Sequence, residues 1–131
     1  LIYFQESFAT IEWDEENHWI LNTFYGFSND EQGKINSQKV LELIKLKKAR
    51  KLIYDHTEAL AISKEFQKEL IHKFYVEAMQ AGLKYRAVVR AKSALYRLIT
   101  SNINEELTKM GLEFATFDNL EEAKNWMRLK P

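Results

Sequence analysis

Apolar positions along this chain alternate between two periods, and the alternation predicts the order of its elements. Phe8 to Trp13 and His18 to Phe27 are rich in aromatic and β-branched residues, separated by the polar segment Asp14-Glu-Glu-Asn17. Two such runs around a polar turn read as a β-hairpin. Ser28-Asn-Asp-Glu31 follows, with a serine and, three residues on, a glutamate suited to a helix's first free N–H groups. From about Glu31 to Ala49, Ile35, Val40, Leu43 and Ile44 recur near helical spacing while lysines take other positions, which predicts a helix with one buried face.

The short run Leu52-Ile-Tyr54 reads as a buried strand ending in Asp55-His56-Thr57, after which a brief loop leads to Ser63. Ser63 is placed to cap a second helix whose Phe66, Leu70, Phe74 and Ala78 form an i, i+4 stripe, with Gly82 as its stop. Tyr85 to Ala91 predicts another strand. Ser93 opens a third helix with Leu95, Ile99, Ile103, Leu107 and Met110 on its packed side, and Gly111 closes it. Glu113 to Phe117 is the last strand. A final helix begins after Asp118-Asn119, with Leu120, Ala123, Trp126 and Met127 inward and Glu121 and Glu122 in its first turn, where negative charge suits the helix dipole.

The order β-β-α-β-α-β-α-β-α predicts an α/β fold: a mixed five-stranded sheet with an N-terminal β-hairpin, a parallel centre, right-handed crossovers and about four helices. Residues 1–131 are expected to form a single domain, since the chain shows no repeat, linker or low-complexity tract and its one proline is terminal.

Composition narrows the function classes. Cysteine is absent, which removes disulfides, thiolate zinc sites and a cysteine nucleophile and fits a reducing compartment, so a cytoplasmic protein is expected. Nineteen basic side chains balance nineteen acidic ones, leaving no net field to attract nucleic acid or an anionic membrane. No apolar run approaches the roughly 20 residues that span a bilayer, so no integral membrane segment and no signal peptide is expected. Opening at Leu1 leads to the expectation that a few residues precede it, and Tyr3-Phe4-Gln5, which lacks the flanks of a protease-tag scar, is read as native.

The element order, the strand Leu52-Ile-Tyr-Asp55, the run Gly82-Leu-Lys-Tyr-Arg-Ala-Val-Val89 and the closing Phe117-Asp-Asn-Leu-Glu-Glu-Ala-Lys-Asn-Trp126 together resemble the STAS domain, closest to its SpoIIAA-like subgroup. The resemblance covers about Phe8 to Leu129. It implies a small regulatory or ligand-binding module without catalysis, in which anti-sigma-factor antagonists switch partners through phosphorylation of a serine in an Asp-Ser-Ser-Gly turn. The corresponding place here reads Ser63-Lys-Glu-Phe66, without the second serine or the glycine. The subgroup is also likened to the related sheet of the CRAL-TRIO lipid-binding proteins, a likeness of fold alone.

Several residues stand out against this background. Asp55, His56 and Thr57 lie where a sheet edge would receive a ligand or partner, but neighbours on a strand point to opposite faces, so Asp55 and His56 are poor partners in proton transfer. Asp55 reads first as a loop-fixing acceptor and second as a contact residue. Ser63 reads as a helix cap, with a phosphorylation switch as the alternative. His18, His56 and His72 have no ligand spacing, and neither a metal nor a cofactor is expected.

Lys45, Lys47, Lys48, Arg50 and Lys51 look like a basic patch, but four of them flank one helix end, where cations offset the dipole and keep the surface solvated. Arg86, Arg90 and Lys92 mark the Tyr85 to Ala91 strand, and Arg90 and Lys92 are the candidates for an anionic group near Asp55. The hairpin aromatics Trp13, Trp19, Phe24, Tyr25 and Phe27 can be buried within one chain or between two, which leaves a homodimer open.

The leading expectation is a non-enzymatic interaction domain that meets a protein partner through the Asp55 to Ser63 loop and the following helix. The alternative is a carrier or sensor of a lipid or other apolar ligand. No convergent catalytic set can be assembled from these residues.

Overall fold

The computed structural model describes residues 1–131 and contains one mixed sheet of six strands in sequential order. β1 (Ile2–Glu6), β2 (Ala9–Asp14) and β3 (Trp19–Gly26) form an antiparallel meander, and β4 (Lys51–Ala59), β5 (Tyr85–Val89) and β6 (Glu113–Phe117) continue it with parallel pairing from β3 onward. The sequence pattern predicted five strands. β1 escaped it because an edge strand with three of five residues exposed carries no clean alternation.

The hairpin turn forms where expected: the Asp14 carboxylate accepts from the backbone N–H groups of Glu16 and Asn17, and His18 takes up the left-handed conformation at φ 56°. α1 (Asp30–Lys47) starts one residue later than Ser28 predicts. Its cap is Asn29, which forms a reciprocal capping box with Gln32. Ile35 is 40% exposed and Asn36, only 3% exposed, takes its inward place, because Asn36 and Asn22 of β3 exchange amide hydrogen bonds of 2.8 and 3.0 Å. A buried polar position of this kind is paired rather than apolar.

β4 runs to Ala59, well beyond Tyr54. Asp55, His56 and Thr57 are therefore strand residues rather than an edge loop, since β3 extends to Gly26 and keeps pairing with β4. Between Thr23/Asp55 and Tyr25/Glu58 the ladder holds one extra β4 residue, a bulge. The second helix begins at Ser63 as expected but is not uniform: α2 (Lys64–Glu69) passes through a π-helical turn, Leu70–Phe74, into α3 (Tyr75–Gln80). That extra residue buries Phe74 and Tyr75 side by side.

α4 (Ala94–Met110) is capped by Ser93 and closed by Gly111 at φ 90°, both as predicted. Its inward residues are Tyr96, Ile103 and Leu107, whereas Leu95 is exposed, a correction of the predicted stripe by one position. α5 (Leu120–Arg128) caps on Asn119 and buries Ala123 and Met127.

Two cores result. On one sheet face Ile11, Trp13, Ile20, Leu52, Tyr54 and Val88 pack under α1, the broken helix and α4; on the other, Trp19, Ile53, Ala87 and Val89 pack under α5. Trp13 and Trp19 thus serve opposite faces, while Tyr25 and Phe27 remain exposed. No helix is long and apolar enough to cross a membrane.

Candidate functional site

The side chains of Phe24, Tyr54, His56, Arg86 and Val88 leave the sheet on the face that carries the three-helix layer. Between them and that layer lies a cavity of about 860 Å³, counting the space open to solvent at its mouth. Gly33 and Asn36 of α1, Phe66 of α2, Leu70 and Tyr75 of the broken helix, and Tyr96, Thr100, Ile103 and Asn104 of α4 close it. The wall is half apolar and half polar.

Arg86 is the charged group of this site, and it is only 4% exposed. Its Nε donates to the Tyr75 hydroxyl at 2.8 Å and its Nη1 to Asn104 Oδ1 at 3.0 Å. The guanidinium also lies 5.4 Å from the ring centre of Tyr54 and 5.6 Å from that of Tyr75. Every ion pair of the protein involves other residues, so the Arg86 charge is held by neutral partners alone.

His56 sits beside it in an aromatic box, stacked on Tyr54 at 5.4 Å and edge-on to Tyr96 at 5.4 Å, with Phe24 at 5.5 Å. Burial, assisted by the Arg86 charge, lowers its pKa to about 3, so the imidazole is neutral at ordinary pH. Burial raises the Tyr54 and Tyr96 hydroxyls above their usual range. Arg86 is therefore the one cation among neutral donors and acceptors.

At the rim, the starts of α1 and α2 meet. Ser63 Oγ accepts from the Phe66 N–H at 3.0 Å and donates to Asp30 Oδ2 at 3.0 Å. Gly33 lets Phe66 approach α1 so closely that a Cβ there would stand 2.7 Å from the Phe66 ring.

The residues singled out in the sequence divide between several places. His56 lines the cavity, and Ser63 stands at its rim. Asp55 points to the opposite face, where its carboxylate accepts from Thr57 N–H at 3.0 Å and from the Thr57 hydroxyl, fixing the bulge. Arg90 pairs with Asp118 at 2.6 Å and bonds to Thr116, and Lys92 pairs with Glu58 at 2.8 Å, both at the surface.

Arg86, Tyr75 and Asn104 were not among the candidates. One signal was available: Arg86 interrupts an otherwise apolar strand, Tyr85-Arg-Ala-Val-Val89, all five residues of which are buried. No three His, Asp or Glu side chains converge as metal ligands do. Compared with models of known families and with curated proteins, the chain matches none. Fold and site define it as an α/β domain with a partly polar cavity under its helical layer.

Proposed function

We propose that this chain is a STAS-like, SpoIIAA-like domain that binds a small, mainly apolar molecule in the cavity between its sheet and its helices, as a carrier or sensor. The observation that carries the reading is the convergence on one cavity of aromatic rings, neutral hydrogen-bonding groups and a single buried cation. Binding rather than catalysis is favoured by the arrangement of the titratable groups. Asp55 and His56 lie on opposite sheet faces, and the neutral His56 packs among rings without a hydrogen bond to a nucleophile or a carboxylate.

The test is native mass spectrometry of the purified protein, followed by extraction of any retained molecule and rebinding to the stripped chain. A retained or rebound apolar compound, competing at the cavity, supports the reading. A chain that carries nothing and shows no thermal stabilisation by a library of apolar compounds refutes it.

A second reading, a regulatory protein-interaction domain, draws on a different observation. Phe27, Leu60, Leu95 and Leu98, which follow the carboxyl ends of β3, β4 and β5, are 42% to 72% exposed. Under this reading Leu95→Ser with Leu98→Ser abolishes capture of a partner and leaves retention of small molecules unchanged.

A further inference from the structure

Among the cationic side chains of this protein, Arg86 is the one that is buried, and it has no carboxylate. A guanidinium carries five N–H donors in a planar fork. Here Nε and Nη1 are occupied by Tyr75 and Asn104, and Nη2 has no protein partner. The side chain lines the cavity, so that open edge of the fork is reachable by what enters it. Holding a buried charge against neutral partners alone is costly, and the cost falls when an anion completes the shell.

From this we infer that the cavity binds an apolar carboxylic acid, its carboxylate seated on Arg86 and its body against Phe24, Phe66 and Ile103. The inference rests on the ligand-binding reading above and adds the chemical class. A monoanion fits better than a phosphate. Arg86 brings one positive charge, and its near neighbours His56, Tyr54 and Tyr96 are neutral, so a second negative charge would meet no counterion. The carboxylate of Asp30 stands at the exposed rim and opposes a more highly charged group entering there.

Apolar bulk is equally part of the site. Phe24, Phe66, Leu70 and Ile103 supply wall that a bare acetate or chloride ion would leave uncovered. Affinity for the acid should come from both ends of the molecule.

The experiment is isothermal titration of the full chain, stripped of any bound molecule, with octanoate, phenylacetate, octanol, phenethyl alcohol and octyl phosphate. The expected result is that each acid binds at least about tenfold more tightly than its alcohol, a typical yield of a charge-assisted contact. Arg86→Met should remove that preference while keeping alcohol binding, and Arg86→Lys should retain part of it. Because the wild-type preference is measured without any variant, a poorly folding Arg86→Met chain does not weaken the test.

Equal binding of acid and alcohol overturns the inference and leaves the cavity reading standing. Tighter binding of octyl phosphate than of octanoate replaces the carboxylate with a phosphate and overturns it too. Failure of all five compounds to bind the folded chain overturns the reading on which the inference rests.

Discussion

The Ser63 hydroxyl joins the starts of two helices, accepting from the Phe66 N–H and donating to the Asp30 carboxylate, each at 3.0 Å. For an isolated cap, aspartate is about as good as serine. Beside Asp30 it is not, because two carboxylates would share the position of one hydrogen bond. Ser63→Asp is therefore expected to lose about 1 kcal/mol, similar to the loss of a cap in Ser63→Ala. Adding Asp30→Asn should restore stability only to the former. Urea unfolding of wild type, the two single variants and each of them with Asp30→Asn, five chains in all, decides it, and a Ser63→Asp chain as stable as wild type would show the Asp30 contact to be without weight. The same geometry opposes a phosphoserine at position 63, whose charge would push the two helix starts apart.

The neutral imidazole of His56 gives the fold a pH dependence of definite sign. Its pKa falls from 6.5 in the unfolded chain to about 3 in the folded one, so the unfolded state binds a proton that the folded state refuses. Stability is therefore fully present above pH 6.5 and declines as pH falls through the interval toward 3. The slope approaches about 1.4 kcal/mol per pH unit for one proton, less whatever water in the cavity screens. His56→Phe keeps the ring packing and removes the proton. Unfolding free energies between pH 6.5 and about 5, above most carboxylate titrations, should fall in wild type and fall less in the variant. Parallel curves would place the proton elsewhere.

How far the sequence disclosed this site follows from the range of each interaction. Caps at Ser63, Ser93 and Asn119 bond three residues along the chain, so they were legible, as were strands that bury a continuous apolar run. Asn36 displaced Ile35 from the core because its partner Asn22 lies 14 residues away, and hydrophobic periodicity does not register a paired amide. Arg86 was legible as an oddity and no more. Its partners stand 11 and 18 residues distant, and one of them, Tyr75, directly follows a π-helical turn that no propensity announces. Arg90 and Lys92 drew attention instead because they sit at the strand end, yet that position also brings Asp118 and Glu58 within reach.

Helix propensity and packing oppose each other at Gly33. Alanine is the better helix former by about 1 kcal/mol, yet its Cβ would meet the buried Phe66 ring, where overpacking costs about 1 to 3 kcal/mol. Gly33→Ala is expected to be destabilised, or else to turn the ring into the cavity and weaken binding of apolar compounds. Phe66→Leu beneath it should recover the alanine's helical gain. Denaturant midpoints and ligand titrations on the same three chains check both effects, and a Gly33→Ala chain more stable than wild type with unchanged binding would contradict the close approach.

Tyr75 and Arg86 form the last relationship with a measurable consequence. Tyr75→Phe deletes the hydroxyl that accepts from Arg86 Nε, leaving a buried donor on a charged group without a partner, a loss of about 1 to 3 kcal/mol. Arg86→Met removes the charge together with its need for partners, and replacing a buried ionic group by an apolar one of similar volume is often neutral or stabilising. The two changes should then be non-additive: Tyr75→Phe costs little once made in the Arg86→Met background, because the orphaned donor no longer exists. A double-mutant cycle in urea measures the coupling directly. Strict additivity would mean that the hydroxyl supports packing of the π-helical turn rather than the guanidinium, and Arg86 would then be held in place by Asn104 and the two tyrosine rings alone.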